Sequence, residues 1–329
     1  MPLVAITDYT FPSLDIEESI LSTAGAELRT GNDKQIAALQ KLVADADAVI
    51  TQFAPINTDV IARMERARVI VRYGIGVDNV DLAAARERGI PVCNVPDYCI
   101  DEVADHTLAF ILATTRQVVP NTLLVHDGKW GLATSLDRMR TLRDQTVGIV
   151  GFGRIGREVA SRLAPFKCRR LVSDTFVPPE VVAATGCESV STEELLNQSD
   201  IVTLHCPSTD ETRRLLNSDS IARMRPGSIV INLARGDLIE TAALVAALQS
   251  GQIAAAAIDV CDPEPIPLAH PLRSLPNVIV ASHIASASPK AVRTLRETAA
   301  RIAVLALQNQ PLPNVVNGVA SVPRTRGTS

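Results

Sequence analysis

Short aliphatic and β-branched runs alternate with amphipathic stretches through most of the chain. Leu3–Thr7 reads as a strand and Asp15–Ala24 as a helix stopped at Gly25. The helical pattern returns at Lys34–Ala44, and Asp47–Thr51 gives the next strand. Val69–Arg72 is a strand, Leu82–Arg88 a helix ended by Gly89, and Pro91–Val95 a strand. Such βαβα alternation implies parallel strands covered by helices. A longer helix is expected from Asp101, a good N-cap, with Val103, Ala104, Leu108, Ile111 and Leu112 at helical spacing and Pro120 as its stop. Asn121–Gln145 carries few strand signals and reads as a connecting arm.

A second alternating series begins at Thr146. Strands are expected at Thr146–Val150, Arg170–Ser173, Asp200–Leu204, Ser228–Leu233, Ala254–Val260 and Asn277–Ser282. Helices fit Ile155–Ala164, Thr192–Asn197, Ser218–Arg223 and Thr241–Ser250, with a Ser191/Glu194 capping box and Gly251 as a C-terminal stop. A last helix, Pro289–Leu307, has no strand after it, and the tail from Pro311 is expected to be loose.

Composition narrows the function classes. The chain has 329 residues, enough for two domains, and its 47% apolar content supplies ample core. Aromatics make up only 3%, too few for the stacking platforms of single-strand nucleic-acid binders. A net charge of −4 offers no field for nucleic acid or an anionic membrane. The N-terminus lacks a signal-peptide pattern and no apolar run is long enough to span a bilayer, so the expected compartment is the cytoplasm. The six cysteines form no C-x-x-C pair and read as reduced core residues, with no metal site.

The strongest motif joins the strand Thr146–Val150 to the following helix. Gly151, Gly153 and Gly156 fit the roles of tight turn, close approach to a pyrophosphate and close helix–strand packing. The helix start offers free N–H groups to phosphates. Asp174 closes the next strand about twenty residues beyond, where a carboxylate binds ribose hydroxyls and repels the extra phosphate of NADP. NAD is therefore the expected cofactor. Arg169, just before the expected strand, and Arg170, its first residue, read as solvated.

Ligands of open parallel sheets bind beyond the carboxyl ends of the strands. Arg235, Glu264 and His283 fall there. A guanidinium can hold a substrate carboxylate, an imidazole can exchange a proton with the substrate oxygen, and a glutamate beside it orients the ring and favours its protonated form. Each residue taken singly has a structural explanation as well. His205 also closes a strand, and spacing alone does not choose between it and His283.

The ordered set Arg72-Tyr73-Gly74-Ile75-Gly76-Val77-Asp78-Asn79-Val80-Asp81, Asn94-Val95-Pro96, Gly151-Phe152-Gly153-Arg154-Ile155-Gly156, Asn232-Leu233-Ala234-Arg235-Gly236, Asp259-Val260 with Glu264, and Ser282-His283-Ile284-Ala285 resembles the D-isomer-specific 2-hydroxyacid dehydrogenases, in the branch of phosphoglycerate-dehydrogenase-like and C-terminal-binding-protein-like members. The resemblance runs from about residue 45 to about residue 317. It implies that Arg235 binds substrate and that Glu264 and His283 form the acid/base pair. It implies cofactor contacts for Gly151, Gly153, Arg154, Ile155, Gly156, Asp174, His205, Pro207, Ala234, Asp259 and Thr107. The backbone at Ile75 and Gly76 would face the substrate carboxylate.

The same resemblance implies an α/β fold of two doubly wound parallel-sheet domains. A Rossmann NAD domain, residues 99–285, is inserted into a flavodoxin-like substrate domain made of residues 1–98 and 286–329. Closure of a cleft between them would exclude water. The arm would make a homodimer contact, with Trp130 either in it or acting as a packing anchor. Ser282 stands where the family commonly has proline, and Glu264 stands where formate dehydrogenases carry glutamine, which argues against formate. The chain after His283 is expected to be too short for an appended regulatory domain. The partners are thus a small 2-keto or 2-hydroxy acid and a second copy, with no nucleic acid or membrane. An NAD-responsive scaffold for partner peptides is the competing class, and phosphite oxidation a third. Substrate identity stays open; Tyr73 and Tyr98 are candidates for shaping its pocket or for packing.

Overall fold

The computed structural model describes residues 1–320, and the expectation of a loose tail falls partly outside them, on residues 321–329. The chain forms two compact units, one of residues 1–98 and 288–329, the other of residues 99–287. Its first stretch runs β1 (Leu3–Ile6), α1 (Asp15–Thr23), β2 (Glu27–Thr30), α2 (Ile36–Val43), β3 (Ala48–Thr51), α3 (Thr58–Ala62), β4 (Ile70–Arg72), α4 (Leu82–Glu87) and β5 (Val92–Cys93). The middle opens with α5 (Ile100–Thr115) and α6 (Val118–His126). There follow β6 (Thr146–Val150), α7 (Arg154–Leu163), β7 (Arg169–Ser173), α8 (Pro179–Ala183), β8 (Glu188–Ser189) and α9 (Thr192–Gln198). Then come β9 (Ile201–Leu204), α10 (Ser218–Ala222), β10 (Ser228–Asn232), α11 (Thr241–Ser250), β11 (Ile253–Ile258), β12 (Val278–Val280) and α12 (Pro289–Leu307).

In the first unit five parallel strands stand in the order β2-β1-β3-β4-β5, the flavodoxin-like arrangement. Val4, Ile6, Ile50, Val69 and Val71 make one face of its core, closed by Leu295, Ala299, Ile302 and Ala303 of α12. Alanines on α12 let it lie close against the sheet. A buried ion pair ties this helix to α1: the Arg296 guanidinium donates to Glu17 at 2.6 to 3.1 Å and to Asp15 at 3.0 Å. Glu17 is fully buried, so the pair is held in low dielectric, where losing one partner costs about 3–5 kcal/mol.

In the second unit seven parallel strands stand in the order β12-β11-β10-β9-β6-β7-β8. Strand order reverses between β6 and β9, the switch point at which such sheets take dinucleotides. Among the described residues no single helix is long and apolar enough to cross a membrane.

Several local expectations are corrected. The long helix begins at Ile100 with Cys99 at its cap, and Asp101 lies inside the first turn. The Asp101 carboxylate is taken by Arg162 at 2.8 Å, which also holds Asp105 at 2.7 Å and Glu158, so packing of α5 on α7 outweighs local capping. That helix ends at Thr115, where Gln117 turns left-handed, and Pro120 sits in the first turn of α6. A proline there removes no helical hydrogen bond, because the first N–H groups of a helix have no partner. The arm therefore opens as a helix. Arg169 and Arg170 lie within β7; Arg169 pairs with Glu188 at 2.6 Å and Arg170 donates to the carbonyls of Ala160 and Gly186. Residues 312–317 are not loose. Leu312 and Asn317 are buried, Val315 bridges Cys93, and the Asn317 amide bonds Ile90 and Val92.

Candidate active site

The glycine loop sits at the switch point. Gly151 takes a φ of +92°, and a Cβ there would lie 2.5 Å from the Cys206 amide nitrogen. A Cβ on Gly156 would lie 2.1 Å from the Gly151 carbonyl, so α7 can leave β6 this tightly only without a side chain. Gly153 differs: it is exposed, with nothing within 4 Å of where its Cβ would point. That open cradle lies at the start of α7, where the N–H groups of Arg154 and Ile155 begin the helix. Free donors beside open space suit a pyrophosphate, so the loop fits a dinucleotide.

Asp174 follows β7. One carboxylate oxygen accepts from Phe152 N–H at 2.6 Å, the other from Phe176 and Val177 N–H at 2.8 and 3.1 Å. A carboxylate has about four acceptor positions. Position remains on the first oxygen for a ribose hydroxyl, and the same contacts fix the glycine loop.

Beyond β10, the buried Asn232 amide shapes the turn that carries Arg235. It accepts from Ala234 N–H at 3.0 Å and donates to the Arg235 carbonyl at 2.8 Å. The Arg235 guanidinium donates to the Ala234 carbonyl at 2.6 Å. Beyond β11, Glu264 accepts from Cys261 N–H at 2.8 Å and meets the His283 Nδ1 at 2.9 Å. Burial raises the Glu264 carboxyl, but hydrogen bonds from His283 and Cys261 and the charges of His283 and Arg235 hold it below the usual range. It is ionised near neutrality and holds the Nδ1 edge of the His283 ring.

His283 itself has a φ of +56°, uncommon for a residue with a side chain. Asp259 accounts for it. Only 1% exposed, its carboxylate accepts from Ile284 and Ala285 N–H at 2.9 and 2.8 Å, while its carbonyl accepts from His283 N–H at 2.8 Å. The sequence analysis gave neither Asp259 nor Asn232 this bracing role; an Asp or Asn closing a strand was the available signal.

The two rival histidines differ. His205 pairs its Nε2 with Thr203 Oγ1 at 2.9 Å, and burial pushes its imidazole down to about 4. It is therefore neutral near pH 7 and holds no proton to give, whereas His283 faces a carboxylate. Thr107 is buried, its hydroxyl donating to the Val103 carbonyl at 2.7 Å, and the Pro207 carbonyl accepts from the Thr212 hydroxyl at 2.6 Å.

In the first unit, Gly74 has a φ of +145° and the Ile75 carbonyl accepts from the Asn94 amide at 2.6 Å. Tyr73 does not shape a pocket. It is 2% exposed, with its hydroxyl donating to Glu17 at 2.9 Å. Tyr98 packs at the margin of the same core. Trp130 is 94% exposed, which removes the packing-anchor alternative.

Residues 108–285 match the family model for the NAD-binding domain of D-isomer specific 2-hydroxyacid dehydrogenases. The chain belongs to that family. A glyoxylate reductase of Korarchaeum cryptofilum is 36% identical over 84% of this chain and 84% of its own length. A D-3-phosphoglycerate dehydrogenase of Methanocaldococcus jannaschii is 36% identical over 91% of this chain but only 56% of its own. The solved D-lactate dehydrogenase of Aquifex aeolicus, complexed with NAD and lactic acid, superposes with a TM-score of 0.84 at 26% identity, covering 93% of this chain and 95% of that one. The cofactor of this family member is NAD.

Proposed function

We propose that this protein reduces a small 2-keto acid to the D-2-hydroxy acid and runs the reverse oxidation. The Glu264–His283 pair, 2.9 Å apart beside Arg235, carries the reading. When bound, NADH supplies the hydride to C2 of the substrate. Protonated His283 delivers a proton from Nε2 to the carbonyl oxygen, and Glu264 on Nδ1 steadies the cationic ring. Arg235 holds the substrate carboxylate and polarises the carbonyl. Asp174 takes the adenosine ribose and favours NAD over NADP, and His205, Pro207, Ala234, Asp259 and Thr107 line the cofactor path.

A second copy covers the arm. Leu123, Val125, Trp130, Leu132 and Leu136 are exposed there, an apolar patch of the kind that marks an interface.

The test is NADH oxidation over a panel of 2-keto acids that includes glyoxylate, hydroxypyruvate and phosphohydroxypyruvate. Turnover with at least one is expected. Tight NADH binding with no turnover on any of them would point to a scaffold and overturn the reading.

A further inference from the structure

We infer that Arg157 is a positioning residue for the cofactor: its Nε holds the Phe152 carbonyl and so fixes the glycine turn in the shape that leaves Gly153 open to a pyrophosphate. Arg157 can play this part only if Gly151–Gly156 is the dinucleotide cradle, the reading on which the inference rests. Every group involved lies in the unit of residues 99–287.

The turn from β6 into α7 is held at successive backbone groups. His205 N–H donates to the Val150 carbonyl at 2.7 Å, and Gly151 N–H donates to the Ser173 carbonyl at 2.9 Å. Phe152 N–H donates to the Asp174 carboxylate at 2.6 Å. The Phe152 carbonyl comes next. β6 ends at Val150 and α7 starts at Arg154, so this carbonyl falls between the two ladders. Its hydrogen bond is supplied from within the helix: Arg157 Nε donates to it at 2.9 Å. The Arg157 N–H donates in turn to the Gly153 carbonyl at 3.1 Å, so one residue holds two consecutive carbonyls of the turn. Its guanidinium carbon lies 5.4 Å from the centre of the buried Phe152 ring, a cation–π contact that keeps the side chain folded back over the turn.

A peptide unit is planar. With the Phe152 N–H on Asp174 and the Phe152 carbonyl on Arg157, the peptide planes on both sides of Phe152 are set. They decide the direction from which Gly153 enters α7. A glycine turn left unbraced samples many such directions. A cradle fixed before the ligand arrives is spared the cost of ordering when it binds. Helix stability alone does not account for the residue. A cation near the start of a helix opposes the macrodipole, and the first turn of α7 carries no acidic residue to offset it.

Three variants separate the hydrogen bond from the charge. Arg157→Leu and Arg157→Ser remove the donor. Arg157→Gln removes the charge and keeps a donor, because glutamine Nε2 and arginine Nε lie the same number of bonds from Cα. The readouts are dissociation constants for NADH, followed by its fluorescence, and for ADP and adenosine, measured by displacement, with a melting curve for each variant. Adenosine has the ribose but no phosphate. The Leu and Ser variants are expected to bind NADH and ADP about tenfold more weakly, the loss of one well-placed hydrogen bond, and adenosine within about twofold of the parent protein. The Gln variant should stay within about threefold of the parent for all three. A folded Leu or Ser variant with the parent constants overturns the inference. A Gln variant that falls as far as the Leu variant also overturns it, since the charge would then be what matters. Equal loss for adenosine, or failure of both the Leu and Ser variants to fold, makes Arg157 a prop of the whole unit and overturns it as well. A parent protein that holds ADP no tighter than adenosine overturns the reading of the glycine turn as a pyrophosphate cradle, and this inference with it.

Discussion

Gly151–Gly156 turns from β6 into α7 with no side chain in the way, whereas Ser282–Ala285 leaves β12 with a histidine at a φ of +56°. The first loop reaches its shape by deletion. Gly151 and Gly156 remove the Cβ atoms that would collide with Cys206 and with Gly151 itself. The second reaches its shape by force: a buried Asp259 carboxylate binds two consecutive N–H groups and holds His283 where its ring meets Glu264. A glycine at 283 would relax the backbone more cheaply but leave no acid. Where the loop must only approach a ligand, glycine suffices; where it must also carry chemistry, a carboxylate beneath it holds the uncommon backbone.

The largest expected effect falls on the second loop. His283→Ala should lower keto-acid reduction by about 10²- to 10⁴-fold, the usual worth of a general acid, with NADH affinity kept. Near-native turnover across pH would dissolve the contrast. Next, the glycines should separate from one another. Gly156→Ala forces a Cβ to 2.1 Å from a carbonyl oxygen and should depress Tm as well as NADH binding. Gly153→Ala meets open space and should weaken NADH binding with Tm unchanged. Equal losses of Tm would show that the cradle is packing and not approach.

Two smaller effects concern protons. Glu264→Gln should lower keto-acid reduction, since the Nδ1 edge of His283 then meets a neutral amide in place of a carboxylate; unchanged turnover would count against the pairing. His205 gives a stability effect. Its folded imidazole is pushed below the ordinary 6.5 to about 4, so the unfolded chain binds the extra proton in that window and stability drops as pH falls through it. His205→Gln should flatten acid unfolding between pH 6.5 and 4, and a slope equal to that of the parent would contradict the neutral ring.

How much was legible follows the range of each interaction. The glycine fingerprint is local, so its spacing gave the loop, and the Ser191/Glu194 box gave the start of α9. β2 escaped notice because it is a four-residue edge strand whose ends, Glu27 and Thr30, are exposed and whose middle, Leu28 and Arg29, is half-buried, leaving no alternation to see. The start of α5 moved because Arg162, far along the chain, claims Asp101. Tyr73 stays open between pocket wall and packing until its partner Glu17 and the Arg296 guanidinium are in view. The segment 312–317 looked loose because its order comes from pairing with β5, more than two hundred residues earlier. Arg235, Glu264 and His283 were found as strand-end residues, but the hands that set them, Asn232 and Asp259, act through backbone groups that no side-chain motif reveals.

The return of α12 to the first sheet has a consequence for synthesis. During translation, Val4, Ile6, Val69 and Val71 emerge early, yet the face they form is closed by Leu295, Ala299, Ile302 and Ala303, made more than two hundred residues later. The unit of residues 99–287 leaves the ribosome whole before that closure is possible. The first-made sheet is thus the last finished, and it waits with an apolar flank open while the other unit folds. Contacts of such long sequence separation slow folding. Chaperone demand should therefore fall on the beginning of this chain for as long as its end is unmade.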